Sequence, residues 1–285
     1  MVLIELQEAV RTVGRVPSFW IPGAAAGLLG AVLWIIYNLS GAFFAARLVI
    51  LAALVMVLFT AGTFAQVKKN GTNAGGLVRG GVQYYFRVLL PWIVISCVLL
   101  LVFAVITIVT ALTGGGTVDY EAMGVLAVIV MIPTLFLTFF CDTAAVFEDL
   151  RVFDSLRRSI AVAAAHAGAV LGFFVVCAAL AFADFFVFAI IWEGLLYEKL
   201  APLAQYNETQ FAAITPQQLI TMIGPDGIWI TAAVIGIALL FIVPLLLAYK
   251  ACFYRSIAGV AGVTPGGVEK PLTGEYDSKG RWYKY

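Results

Sequence analysis

Apolar residues in this chain gather into long blocks instead of one face of a helical period. Six blocks reach the roughly twenty residues that cross a bilayer core. They run over about 21–39, 47–67, 88–112, 123–147, 165–192 and 228–249. Pro133 and Pro244 fall inside the fourth and sixth blocks and predict kinks that neighbouring helices must accommodate. Shorter, mixed segments precede alternate blocks. Residues 3–16 set Leu3, Leu6, Val10 and Val13 at helical spacing, with Glu5, Glu8, Arg11 and Arg15 between them. That spacing predicts an amphipathic helix lying in the membrane interface. The run from Pro17 to Pro22 then turns the chain into the bilayer, with Trp20 suited to headgroup level.

Leu77–Arg87 reads as a second amphipathic piece, after a Gly/Asn-rich loop at 68–76. The run Glu148–Ile160 reads as a third, and it is the most charged stretch between two long apolar blocks. Leu77 and Arg79 align with Leu156 and Arg158, each pair just ahead of a span. The chain is therefore read as three units, each an amphipathic helix followed by a two-span hairpin. The fold class is an all-α polytopic bundle of six spans over 1–260, followed by a polar tail at 261–285. The longest hairpin, 193–227, contains Thr215-Pro216 ahead of an apolar period, which predicts a capped short helix.

Composition sharpens the class. Hydrophobic residues make up 63% and charged residues 12%, against about 45–50% and about 25% in soluble domains. An integral membrane protein follows. The formal net charge of +1 predicts no nucleic-acid partner. Of the 17 basic residues, all but Arg47 and Lys199 fall on the side that six spans give to both termini. Basic flanks favour the cytoplasmic side, so both termini are placed in the cytoplasm of a cell (plasma) membrane protein. The opening residues show no basic leader followed by a cleavage site, and no removable signal peptide is expected. The four cysteines lie in apolar segments and read as small buried hydrophobes.

Two short runs carry a likeness to a known group. Arg15–Gly23 resembles the entry to span one, and Val152–Ser159 the entry to a later span, in prokaryotic six-span membrane proteins of unassigned function. That group is similar to the membrane domain attached to some glycerophosphodiester phosphodiesterases. The resemblance implies architecture only, because no phosphodiesterase catalytic domain accompanies it.

Chemistry-bearing residues are few. Asp184, within Ala181–Val187, is an intramembrane carboxylate, whose insertion costs roughly 2.5–3.5 kcal/mol. It marks either a functional site or a shallow outer cavity where hydroxyls hold it. Asp142, nearer the cytoplasmic end of span four, is expected to pair with Arg158 or Arg157. His166, the only histidine, reads as a hydrogen-bonded interfacial residue, with no second ligand for a metal. Arg79 and Trp192 join Arg157, Arg158 and Trp20 as interfacial or structural positions. Gly23-x-x-x-Gly27 and Gly168-x-x-x-Gly172 permit close helix approach in lipid, more for packing within the bundle than for dimerisation. Asn207 is a possible glycan acceptor on the outer side. In the tail, Tyr276, Arg281, Trp282, Tyr283 and Tyr285 alternate with charges and suit docking on a partner or on the interface. No phosphate loop, nucleophile pair or dinucleotide fingerprint is found, so no enzyme activity, cofactor or metal is expected. The leading expectation is a non-enzymatic scaffold or accessory subunit that binds lipid or a membrane partner. A small transporter using Asp184 and Asp142 is the alternative.

Overall fold

Hydropathy alone dictates most of what forms, because backbone polar groups in lipid must be satisfied within each helix. The structure, a computed structural model, describes residues 2–113, 120–207, 214–259, 274–276 and 282–284. Its helices are α1 (Val2–Arg15), α2 (Trp20–Ser40), α3 (Ala42–Lys69), α4 (Ala74–Thr113) and α5 (Tyr120–Thr138). After these come α6 (Cys141–Phe147), α7 (Val152–Ala165), α8 (Ala167–Leu195), α9 (Tyr197–Leu200) and α10 (Pro216–Ile257). Six stretches among them are long and apolar enough to cross a membrane, the fourth being α5 and α6 taken together. In the tail the backbones of β1 (Gly274–Tyr276) and β2 (Trp282–Lys284) pair antiparallel, with Gly274 opposite Lys284.

The amphipathic reading holds for α1 and α7, which are separate helices. In the middle unit residues 77–87 keep the pattern, burying Leu77, Gly81 and Tyr84 on one side, but they form no separate helix: they continue without a break into span three, and α4 is 40 residues long, about 60 Å. That exceeds a hydrocarbon core of about 30 Å, so its first turns extend beyond the membrane and pack along the end of α3. Gly62 and Gly81 make this possible: a Cβ on Gly81 would collide with the Leu58 carbonyl, and one on Gly62 with that of Leu77.

Pro133 and Pro244 both lie inside helices that continue past them, and the interruptions of the helices fall at other places, at Phe139–Phe140 and at Gly224. The first break is made by tertiary contact. Ser159 of α7 accepts from the Phe140 N–H (3.1 Å) and donates to the Leu137 carbonyl (2.8 Å), occupying backbone groups that a continuous helix would pair. At the second, Gly224 adopts φ 67°, and Lys199 donates to the carbonyl of the preceding Ile223. The predicted short helix ahead of it is present, with Thr215 and Gln218 forming a reciprocal capping box.

Packing is uneven along the bundle. Around α6, all seven of whose residues are buried, lie the ends of α3 and α10 and the start of α4. Phe173 stacks on Tyr249 and Phe253 at 4.7 Å, and Phe140 meets Phe173, Phe253 and Tyr254. At the opposite end the apolar side chains of α4, α5 and α8 face outward, among them Leu100, Val105, Ile129, Phe182 and Phe186. The glycine pattern is borne out in one of its two places. Gly23 and Gly27 let α2 lie against α10 at Leu240 and Gly236, an intramolecular contact. Gly168 instead faces open space, on the side of α8 away from the buried Val170 and Phe173, and a Cβ on Gly172 would make only an ordinary contact with Val2 of α1.

Candidate functional site

The end of the bundle that carries α1 gathers nearly all the paired polar chemistry. Its deepest element is Asp142, in the first turn of α6, where the helix dipole favours a carboxylate. One oxygen accepts from the Thr143 N–H at 2.7 Å, and the other receives Lys250 Nζ at 2.7 Å. Both side chains are buried, and Lys250 Nζ also lies 4.0 Å from the centre of the Phe139 ring. The expected partners, Arg157 and Arg158, are elsewhere. Arg158 Nε reaches both oxygens of Glu148 and its Nη2 donates to the Ala258 carbonyl, while Arg157 is exposed. The reason is axial: Glu148 follows the last turn of α6 and Asp142 its first, about 9 Å deeper, so the α7 arginine meets Glu148 and α10 supplies the deeper cation.

Three further clusters fasten the same end. Tyr254 donates to Glu148 at 2.7 Å, completing a carboxylate shared with Arg158. Asp149, held at φ 54°, accepts from Lys68, from Tyr84 (2.7 Å) and from Arg87 (3.1 Å), joining the α6–α7 turn to α3 and α4. On α1, Glu8 pairs with Arg255 and the buried Glu5 accepts from Ser256 at 2.7 Å. Tyr249 reaches the Val2 carbonyl from the same helix.

Burial pushes the Asp149 carboxyl up, but the hydrogen bonds from Lys68 and Tyr84 and the charges of Lys68 and Arg87 outweigh it. The carboxyl is held below its usual range. A depressed folded value contributes stability above the unfolded carboxylate value, near 4, that is lost as pH falls through the folded value. Thermal unfolding followed between pH 7 and about pH 3 should show the wild type losing midpoint below about pH 4, with Asp149→Asn less sensitive there. Equal acid sensitivity in both proteins would remove Asp149 from this role.

Between α1, the end of α3 and the end of α10 lies a cavity of about 470 Å³. Phe19, Val67 and Cys252 form its buried apolar part, and Arg11 and Arg15 stand at its exposed side. Gln66 gives it a fixed wall: its amide donates to Ser18 and to the Asn73 carbonyl, and Ser18 in turn donates to the Thr72 carbonyl. Sequence reading missed Gln66, Lys250, Ser159 and Tyr254. Lys250 carried one signal, its place within the apolar run Ala248–Tyr254.

The other predicted residues lie apart. Asp184 sits half-buried on α8, about 25 Å along the helix from its start, between the outward-facing Phe182, Phe185 and Phe186. Among the described residues it has no hydrogen-bond partner, and it does not line the cavity. His166 is exposed at the junction of α7 and α8. Its main chain continues the helical bonding, but its imidazole makes no hydrogen bond among the described residues, since the junction turns it outward. Trp20 packs edge-on against Phe241, and Trp192 donates to Thr231 at 2.8 Å, so both are tied into the bundle. Arg79 and Asn207 are exposed. Cys141 and Cys252 are buried as expected, Cys177 partly, whereas Cys97 is exposed on the outward face of α4. Arg281, Tyr285 and the side chains of Tyr276, Trp282 and Tyr283 lie outside the described residues. Among the described residues no three His, Cys, Asp or Glu side chains converge on a point that could hold a metal ion. Set against protein-family models, curated proteins and solved structures, the chain gives no match.

Proposed function

We propose that this multi-pass membrane protein is a scaffold or accessory subunit without catalytic chemistry of its own. Its basic, α1-bearing end faces the cytoplasm and engages lipid or a membrane partner. One observation carries the reading. The two intramembrane carboxylates do not share a polar path: Asp142 is fixed by Lys250 in the packed end, and Asp184 stands among outward-facing aromatics in the far half. A permease needs polar groups that converge on a cavity and exchange partners there. Paired charges locked between helices instead specify one arrangement.

Two measurements test this. Purified in mild detergent, the intact chain is expected to retain a stoichiometric protein partner that is lost on truncation after Thr264. Reconstituted into vesicles, wild type and Asp184→Asn are expected to show the same background permeability to protons and cations. A flux abolished by Asp184→Asn would overturn the scaffold reading in favour of a permease. Orientation is checked separately with a Cys at position 207, which an impermeant thiol reagent should label from outside intact cells.

A further inference from the structure

Resting on the lipid-binding side of that reading, we propose that the cavity between α1, α3 and α10 is a headgroup site for an anionic phospholipid. Arg11 and Arg15 would hold the phosphate, and the apolar part would receive the upper carbons of the tail.

The argument begins with spacing. Arg11 and Arg15 are four residues apart, hence on one face of α1, and Ile4 and Glu8 continue the same stripe into the cavity wall. The opposite stripe, Glu5, Ala9 and Val13, is the buried one, so the bundle fixes which way the arginines face. Neither guanidinium has a hydrogen-bond or ion-pair partner among the described residues. Of the two carboxylates of α1, Glu8 pairs with Arg255, and Glu5, which accepts from Ser256 through one oxygen, is buried on the other stripe and does not line the cavity. Glu8 does line the cavity and would repel an anion, but Arg255 beside it also lines the wall and balances it. The local excess is therefore the two free arginines, whose planar forks suit phosphate oxygens.

Depth supplies the second argument. The cavity lies beside the polar ends of two candidate spans, where Lys68 and Lys69 close α3 and Arg255 stands in the last turn of α10, and such basic flanks mark the interfacial side of a span. Its volume of about 470 Å³ falls within the usual range for small-ligand sites. Charge at the mouth and Phe19, Val67 and Cys252 inside describe an amphiphile rather than a free anion. The wall formed by Gln66 and the turn at Asn70–Thr72 is held from behind by the hydrogen bonds of Ser18 to Gln66 and to the Thr72 carbonyl, so the site is present before any ligand arrives.

The test uses the full chain in nanodiscs of phosphatidylcholine, with or without added phosphatidylglycerol or phosphatidic acid. Native mass spectrometry counts the lipids retained after release from the disc. The wild type is expected to keep an anionic phospholipid that the Arg11→Gln, Arg15→Gln double variant binds on the order of ten- to thirty-fold more weakly. Arg79→Gln, an exposed arginine on α4, should bind as the wild type does, and all three proteins should melt alike in phosphatidylcholine. Equal retention by wild type and double variant, or no preference over phosphatidylcholine, overturns the site. Inorganic phosphate that displaces the lipid completely at millimolar concentration would also overturn it, by showing a free-anion site instead. If the double variant loses its lipid yet keeps the protein partner, the site stands and the scaffold reading stands separately.

Discussion

Lys250→Met is expected to destabilise the folded protein by about 3–5 kcal/mol, the usual cost of leaving a buried charge without its partner. The variant keeps most of the aliphatic volume against Phe139 and Phe64 but strands the Asp142 carboxylate between α6 and α10. The companion variant decides whether charge is the cause. Asp142→Asn added to Lys250→Met removes both ionic groups, and its side-chain oxygen can still accept from the Thr143 N–H. That double variant should recover most of the lost stability, since a buried pair replaced as a unit is often close to neutral. Thermal unfolding of the detergent-purified proteins measures both. A double variant no more stable than Lys250→Met would assign the loss to packing instead of to the uncompensated carboxylate.

The second large effect is steric. Gly27 lies so close to α10 that a Cβ would overlap the Gly236 carbonyl, and a backbone atom cannot rotate aside as a side chain can. Gly27→Leu should therefore separate α2 from α10, at a cost of about 1–3 kcal/mol or more. Gly168→Leu is the matched control, because nothing stands within reach of its Cβ; a change within about 0.5 kcal/mol is expected there. The unfolding midpoints of the two proteins should differ clearly. Equal loss in both would mean that leucine acts through something other than the α2–α10 contact.

These two cases also show what the amino-acid pattern could and could not disclose. Six spans were legible because lipid imposes a length and a polarity on each crossing segment. The helix over 2–15 was legible because its apolar positions repeat at helical spacing. The Gly23–Gly27 pair was readable as a close-approach surface, although nothing in it named α10 as the partner. Lys250 was not legible as a buried ion. A basic residue near the end of an apolar span reads as one that reaches the interface, and only the position of α6 denies it water. The break at Phe139–Phe140 has no glycine or proline to announce it, being created by Ser159 from another helix. The cavity was hidden for the same reason. Its walls come from residues near 11, 66 and 252, brought together only by tertiary packing.

The contact between α1 and α10 has a consequence for how the protein is made. Val2, Glu5 and Glu8 meet Tyr249, Ser256 and Arg255, partners separated by 247 to 251 positions in the chain. At about 5–20 residues per second of synthesis, α1 waits on the order of ten to fifty seconds after leaving the ribosome for its seat on α10. Through that interval Ala9, Val13 and the Glu5 carboxylate are without the neighbours that later bury them. An amphipathic segment can shelter its apolar stripe against the membrane surface, so α1 begins as a peripheral helix. It becomes part of the folded core only when α10 has entered the bilayer, and its docking there thus marks the insertion of α10.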